Sequence, residues 1–347
     1  MRSLALWVLL SCGLGLWGEQ PRSASQPPEI KVEGALPAVL KIRVKTASLG
    51  DAVLPSGVRR PSYVAPSAVA DGRGEYSALP GDLSFYAGLT ERGNTAPQAL
   101  LDTLEARFET GPSAHLTIDT TQGDVLVGPA LAKKLHLEGA KGTTAALVPF
   151  RVGPVTFRGV QGRLVGSAEL PGESVDGVLP LSLFAGYGLF WESSAERLTV
   201  CAPGGPPPPA AGSGAFSTTA QWRDGALCLA VVLHGRYGGY FLVNPAQPHS
   251  AIDIEAARKA GIEVRMQGSV LRNEIAKGGL AEEARVRLGT AEVTIRWARV
   301  VDVAPYLPPA CLGIMGRDVF TLFSYYIEPG SGTVVLTPSR KGGAKGH

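Results

Sequence analysis

The chain has 347 residues, 45% of them hydrophobic and 18% charged, with 44 glycines and 27 prolines. That length can build two modest cores, and the Gly and Pro load suits short strands joined by many turns. A net charge of +3, with no Lys/Arg run before the tail, excludes the basic footprint of a nucleic-acid or membrane-surface binder.

Residues 1–25 read as a signal peptide. Arg2 supplies a positive start, Leu4 to Trp17 is almost wholly apolar, and Ser23-Ala24-Ser25 offers the small residues a signal peptidase reads. The apolar run is too short for a helix that stays in the bilayer. The chain is therefore expected to be exported: periplasmic, outer-membrane-associated or extracellular. Leu9-Leu10-Ser11-Cys12 resembles a lipobox, so a lipid on Cys12 is the one membrane contact the sequence offers. If Cys12 leaves with the signal, Cys201, Cys228 and Cys311 remain. An oxidising compartment would permit one disulfide and one free thiol among them. Their spacing matches no metal motif, and buried structural cysteines are the simpler reading.

Residues 26–103 begin with an alternating strand from Val39 to Val44. From Ala47 to about Pro97 the periodicity is lost and Gly, Pro, Ser and Arg accumulate, which predicts an irregular insertion. Residues 104–200 then order themselves as a strand ending in Leu116-Thr117-Ile118, a polar turn, and a short apolar strand at Val125-Leu126-Val127. A helix is expected from Pro129 to about Leu137, with Gly139 just past its end. Strands follow from Val148 to Val152 and from Val155 to Val160, around a Gly153-Pro154 turn. Residues 201–220 form a linker, semi-rigid at Pro206 to Pro209. A second structured segment occupies 221–338, and the basic tail 339–347 is expected to be disordered.

The two long segments repeat each other. A constant offset of 125 residues carries Asp119 onto Asn244, Val127 onto Ile252, Ala132 onto Ala257, Lys133 onto Arg258 and Glu138 onto Glu263. Further on, an offset of 136 carries Gly153 onto Gly289, Thr156 onto Glu292, Phe184 onto Phe320 and Glu192 onto Glu328. Two registers held over two stretches imply two related halves.

A strand–Asp-Thr–turn unit that is duplicated can bring two carboxylates face to face. Like charges that close cannot both ionise cheaply, so one proton is shared. One carboxylate can then take a proton from water while the other gives one to a peptide carbonyl. On the residues Leu116-Thr117-Ile118-Asp119-Thr120-Thr121, the strand Val125-Leu126-Val127 and the run Ile314-Met315-Gly316-Arg317-Asp318, the chain resembles the retropepsin-like aspartic peptidases, in a bacterial two-repeat form. The resemblance implies a mostly β fold of two closed β-barrel lobes related by a pseudo-twofold axis, in a pepsin-like bilobal arrangement. It implies that Asp119 and Asn244 face one another near the base of a cleft, that Thr120 ties the two loops together, and that the ligand is a peptide or protein.

The departures from that pattern decide the expected activity. Asn244 cannot ionise, and Pro245 offers neither the hydroxyl nor the N–H that Thr120 offers. Thr121 and Pro180 stand where the pattern has glycines, so strain is expected at both. Asp119 is the surviving half of the dyad, with Thr120 beside it and Asn244 at the degenerate partner position. Asp124, Asp253, Glu292, Asp302 and Asp318 read as turn, capping or surface acids rather than a replacement carboxylate. His115, His136, His234 and His249 are scattered and read as surface or turn residues. No cofactor or metal is expected, and the chain is expected to be monomeric. Three functions stay open: a catalytically degenerate peptidase relative that binds peptide, an active endopeptidase using Asp119 with a substitute group or across a homodimer, and a structural envelope protein.

Overall fold

The structure, a computed structural model, describes residues 28–48, 75–79, 82–88 and 98–339, with short interruptions at 122, 171–174, 193–194, 204–213, 224, 248, 265–277 and 329–331. The signal segment, the polyproline core of the linker and all but the first residue of the basic tail lie outside the described residues, as does most of 47–97.

The N-terminal region supplies β1 (Glu29–Val32), β2 (Ala38–Lys41), β3 (Arg43–Ser48), β4 (Glu75–Leu79) and β5 (Asp82–Gly88). The expected strand from Val39 to Val44 is thus two, broken at Ile42. The insertion, read as irregular, carries the β4–β5 hairpin. The first half continues with β6 (Gln98–Phe108), β7 (Ser113–Asp119), β8 (Val125–Val127), α1 (Pro129–Lys134), β9 (Thr144–Ala146), β10 (Phe150–Val152), β11 (Val155–Arg158), β12 (Gln161–Leu164), β13 (Gly177–Pro180), β14 (Gly188–Glu192) and β15 (Arg197–Cys201). The second half holds β16 (Phe216–Arg223), β17 (Ala226–Leu233), β18 (Tyr237–Val243), β19 (Ala251–Asp253), α2 (Ile254–Ala260), β20 (Gly278–Leu288), β21 (Ala291–Val301), β22 (Cys311–Met315), α3 (Arg317–Phe320), β23 (Phe323–Ile327) and β24 (Thr333–Pro338). The fold is mostly β, in two large sheets.

Strand registers correspond between the two halves. In the first half β13 runs parallel to β7, pairing Gly177 with Leu116 and Leu179 with Ile118. It runs antiparallel to β8, and β12 lies parallel on the far side of β8. In the second half β22 runs parallel to β18, pairing Gly313 with Phe241 and Met315 with Val243. It runs antiparallel to β19, and β21 lies parallel beyond that. Each pair maps onto the other through the two sequence offsets. Both halves need glycine at the same crossing. A Cβ on Gly177 would lie 2.4 Å from the carbonyl oxygen of Leu126, and one on Gly313 would lie 2.3 Å from that of Ala251.

A shared sheet joins the halves in the order β2-β15-β14-β23-β24-β16. At its centre β14 meets β23 antiparallel, with Leu189 opposite Ile327, Phe190 opposite Tyr326 and Trp191 opposite Tyr325. An offset of 136 exchanges the two outer pairs and leaves the middle one in place, so the pseudo-twofold axis passes between Phe190 and Tyr326. The central strand Gly-Leu-Phe-Trp-Glu is buried along almost its whole length because both faces of this sheet are covered. In the first half β2 and β3 stand where β16 stands in the second. The boundary drawn at 103/104 therefore falls inside β6.

Helices α1 and α2 differ at their ends. Asp253 caps α2 by accepting from the N–H groups of Glu255 and Ala256, and Gly261 closes it in the left-handed region at φ 72°. α1 begins on Pro129 but stops at Lys134, short of the expected Leu137. His136, the counterpart of Gly261, takes the left-handed turn at φ 52°, so the chain leaves the helix before Gly139 is reached.

Equal crowding at the two crossings predicts equal costs. Gly177→Ala and Gly313→Ala should each destabilise the protein by about 1–3 kcal/mol, as overpacking of a closed core does, read from the urea midpoint.

Candidate functional site

Asp119 ends β7, and its loop closes on its own side chain. Oδ1 accepts the backbone N–H and the hydroxyl of Thr121, both at 2.6 Å. Asn244, one residue past β18, makes the matching turn, its Oδ1 accepting the N–H of Ala246 at 3.2 Å. Short side chains with an acceptor oxygen favour this turn, which is why Asn replaces Asp without disturbing the backbone. With Oδ1 turned to Ala246, the amide nitrogen of Asn244 is the group left to act as a donor elsewhere. Asp119 is partly exposed, whereas Asn244 is buried.

The two loops touch. Thr120, with no exposed surface, donates its hydroxyl to the carbonyl of Val243 at 2.6 Å, one residue before Asn244. The N–H of Leu227 donates to the Thr120 carbonyl at 2.6 Å, and Thr121 bridges Ala226. The first loop is therefore tied into the second half by side chain and backbone. The reciprocal hydroxyl would come from the residue at 245, and proline has none. Its carbonyl instead accepts from Nε of Arg317 at 2.9 Å.

Arg317 is a residue that sequence reading left without a role. Its backbone N–H donates to the carbonyl of Gln247 at 2.7 Å, so with Nε it holds the Asn244 turn at two points. Its Nη2 lies 3.0 Å from Oδ2 of Asp102 on β6, and both side chains are buried. The two form a buried ion pair between the halves. Burial pushes the pKa of Asp102 up, against the pull of the Arg317 guanidinium. By the pseudo-twofold relation this pair maps onto Leu227 and Leu181, both in the apolar core. A charged residue standing at a leucine position of the repeat was the available sequence signal.

The glycine position near each loop also differs. A Cβ on Gly316 would meet the carbonyl carbon of His249 at 2.4 Å. The Gly316 N–H donates to Oγ of Ser250 at 2.9 Å, and that hydroxyl donates to Asp318 at 2.7 Å. The N–H of Ser250 reaches both Asp318 oxygens at 3.0 Å. In the first half these three residues are Pro180, Val125 and Ser182. The donor lost at Pro180 and the acceptor lost at Val125 vanish together, so the change strands neither group. The expected strain is absent: Pro180 sits at an ordinary φ of −69°, and Thr121 is outside the left-handed region.

Two further expectations are corrected. Asp318, read as a surface or capping acid, is buried, and burial raises its pKa against the hydrogen bonds from Ser250 and Val319. His249, read as a surface or turn histidine, does lie in a bend but is only 4% exposed; burial, with the charge of Arg299 beside it, lowers its pKa to about 3. Asp124 forms an exposed ion pair with Arg163 at 3.2 Å. Among the described residues no group of three or more His, Cys, Asp or Glu is arranged to hold a metal ion.

No family model matches the chain, and no curated protein matches it in sequence. Among solved structures it is similar to the aspartic proteinase from Irpex lacteus, with a TM-score of 0.46 and 12% identity, over 72% of this chain and 96% of that one.

Two measurements test the site's internal chemistry. Arg317→Leu alone strands a buried carboxyl and should cost about 3–5 kcal/mol, whereas Asp102→Leu with Arg317→Leu copies the leucine pair of the other half and should recover most of that loss in denaturant unfolding. His249 is neutral when folded, and its depressed pKa means that its stabilising contribution is complete above about pH 6.5 and is lost as pH falls toward about 3. The stability of wild type relative to His249→Gln should thus be flat above pH 7 and fall by about 1.4 kcal/mol per pH unit below pH 6. Asp102 and Asp318, with raised pKa values, act with the opposite sign, their contribution being lost as pH rises, and cancel in that comparison.

Proposed function

We propose that this chain is an exported relative of the aspartic peptidases that has given up turnover and binds a peptide or protein segment at the junction of its two halves. The observation that carries the reading is a half-kept bond. Thr120 still donates to the carbonyl beside Asn244, while Pro245 has lost the means to answer.

An aspartic dyad works because two carboxylates share one proton, so that one acts as base and the other as acid. Asn244 offers an amide that neither takes nor gives a proton at ordinary pH. It can donate to an ionised Asp119, which would leave a stable hydrogen-bonded pair with no proton to pass on. Loss of a general acid or base costs about 10²–10⁴-fold, and more where residues act as a unit. The acids near the loops do not offer a replacement: Asp318 is enclosed by Ser250, and Asp102 is engaged with Arg317. Pairing of Asp119 across a homodimer is disfavoured because Thr120 already engages Val243 of its own chain.

What supports peptide binding rather than hydrolysis is that the loop architecture persists where the chemistry does not. Cleavage of a broad peptide library from acid to neutral pH, with Asp119→Ala alongside, tests the reading. The expected outcome is no difference between the two proteins, with retention of library peptides on both. Cleavage that disappears in Asp119→Ala would overturn it and establish an active peptidase. Absence of both binding and cleavage would leave a structural envelope protein.

A further inference from the structure

The second half carries two thiols that neither loop uses. Cys228 on β17 and Cys311 at the head of β22 flank β18, with their Sγ atoms 3.5 Å apart. The registers set Cys228 opposite Leu242 and Cys311 opposite Tyr240. Positions 240 and 242 share one face of the strand, so both cysteines project from the same side of the sheet. They pack with Leu242, Ile314, Val303 and Leu307 in a cluster separate from the main core. Cys228 has no exposed surface, while Cys311 is partly open. Cys201 lies in a different cluster, with Phe190 and Tyr326.

We propose that Cys228 and Cys311 are a modification site that closes into a disulfide by exchange with an external disulfide, either a small-molecule disulfide or that of a dithiol oxidase. A buried and a half-exposed thiol in contact set the order of events. Arg223 stacks over the Tyr240 ring at 4.5 Å and bonds the Pro309 carbonyl, which places its charge beside the pair. The contact with Cys228, then the Arg223 charge, holds the Cys311 thiol below its usual range, while the contact with Cys311, then burial, pushes Cys228 up. Cys311 is thus both the more acidic thiol and the reachable one.

Its thiolate attacks one sulfur of the external disulfide. That S–S bond breaks, a mixed disulfide forms on Cys311, and one thiolate leaves. Cys228 then gives up its proton and attacks Sγ of Cys311, the mixed disulfide breaks, and the second thiolate leaves. Two cysteines lose two electrons, and the external disulfide gains them as two thiols. The sulfurs must close from 3.5 Å to about 2.05 Å. The head of β22 is where the backbone can give, since Ala310 just before it turns at φ 63° and the β18–β22 register breaks between Tyr240 and Phe241.

The bridge would brace the platform under Asn244. β17 carries Leu227, which donates to Thr120, and β22 ends in Met315, whose carbonyl accepts the Asn244 N–H at 2.9 Å. The cysteines lie 83 positions apart, a long loop whose closure restricts the unfolded chain strongly. The inference stands whether or not the junction binds peptide.

The test uses the full chain, reduced, then incubated with oxidised glutathione and digested without reductant. Mass spectrometry should find a peptide joining Cys228 to Cys311, with alkylation retained at Cys201. The oxidised protein should melt about 5 °C or more above the reduced one. Cys201→Ser should keep the crosslink. Full alkylation of Cys228 and Cys311 after unfolding of the oxidised sample would overturn the proposal. So would glutathione retained on Cys311, a link to Cys201, or a crosslinked protein that melts lower than the reduced one.

Discussion

Everything that concerns the site depends on the antiparallel pairing of β14 with β23. Each of these strands closes one half, and their register about Phe190 and Tyr326 fixes how the halves are turned toward one another. The pairing is insulated by large rings: Trp191 packs edge-on against Phe320 at 4.9 Å, and Phe320 stacks on Tyr325 at 4.4 Å. Burial of aromatic side chains on this scale dominates core energetics. With that sheet in place, the strand ends of β7 and β18 converge, and a hydroxyl on one finds a carbonyl on the other. A slip of one residue between β14 and β23 would turn their inward rings outward and part the loops.

Much of this was legible in the sequence. Two constant offsets foretold which strands correspond, because corresponding strands must fill corresponding volumes, and the registers of β7 with β13 and β18 with β22 obey them residue by residue. The Asp-Thr and Asn-Pro dipeptides marked the loops because short polar side chains at strand ends close turns. Less legible was anything that depends on contacts between the halves. Arg317 and Asp102 lie more than 200 positions apart, and no local pattern announces that a charge in one half meets a charge in the other. His249 and Asp318 misled for a related reason: polarity suggests exposure, but the close approach at Gly316 draws both inside. The length of α1 was misjudged because a histidine took a conformation more commonly left to glycine.

The two halves also differ in what they hold around these loops. The second holds a glycine, a serine and an aspartate in a hydrogen-bonded set around Gly316, and the first holds Pro180, Val125 and Ser182 at those places. The first keeps its acid and its threonine, and the second has neither. Each half retains one portion of what a symmetric site would hold twice, and the backbone beneath is preserved in both. Where a donor and its acceptor are absent together neither is stranded, so one backbone can carry both sets of residues at little energetic cost.

The buried pair between Asp102 and Arg317 has a consequence for assembly. Because the related position holds leucine on both sides, the first half carries an acid and an apolar residue, while the second carries an apolar residue and a base. Two first halves brought together about the same axis would set each Asp102 against Leu181. Two second halves would set each Arg317 against Leu227. Either self-pairing entombs a lone charge twice, a cost of several kcal/mol each time. Only unlike halves satisfy one another, so this buried pair favours the union of one half with the other over the union of either with itself.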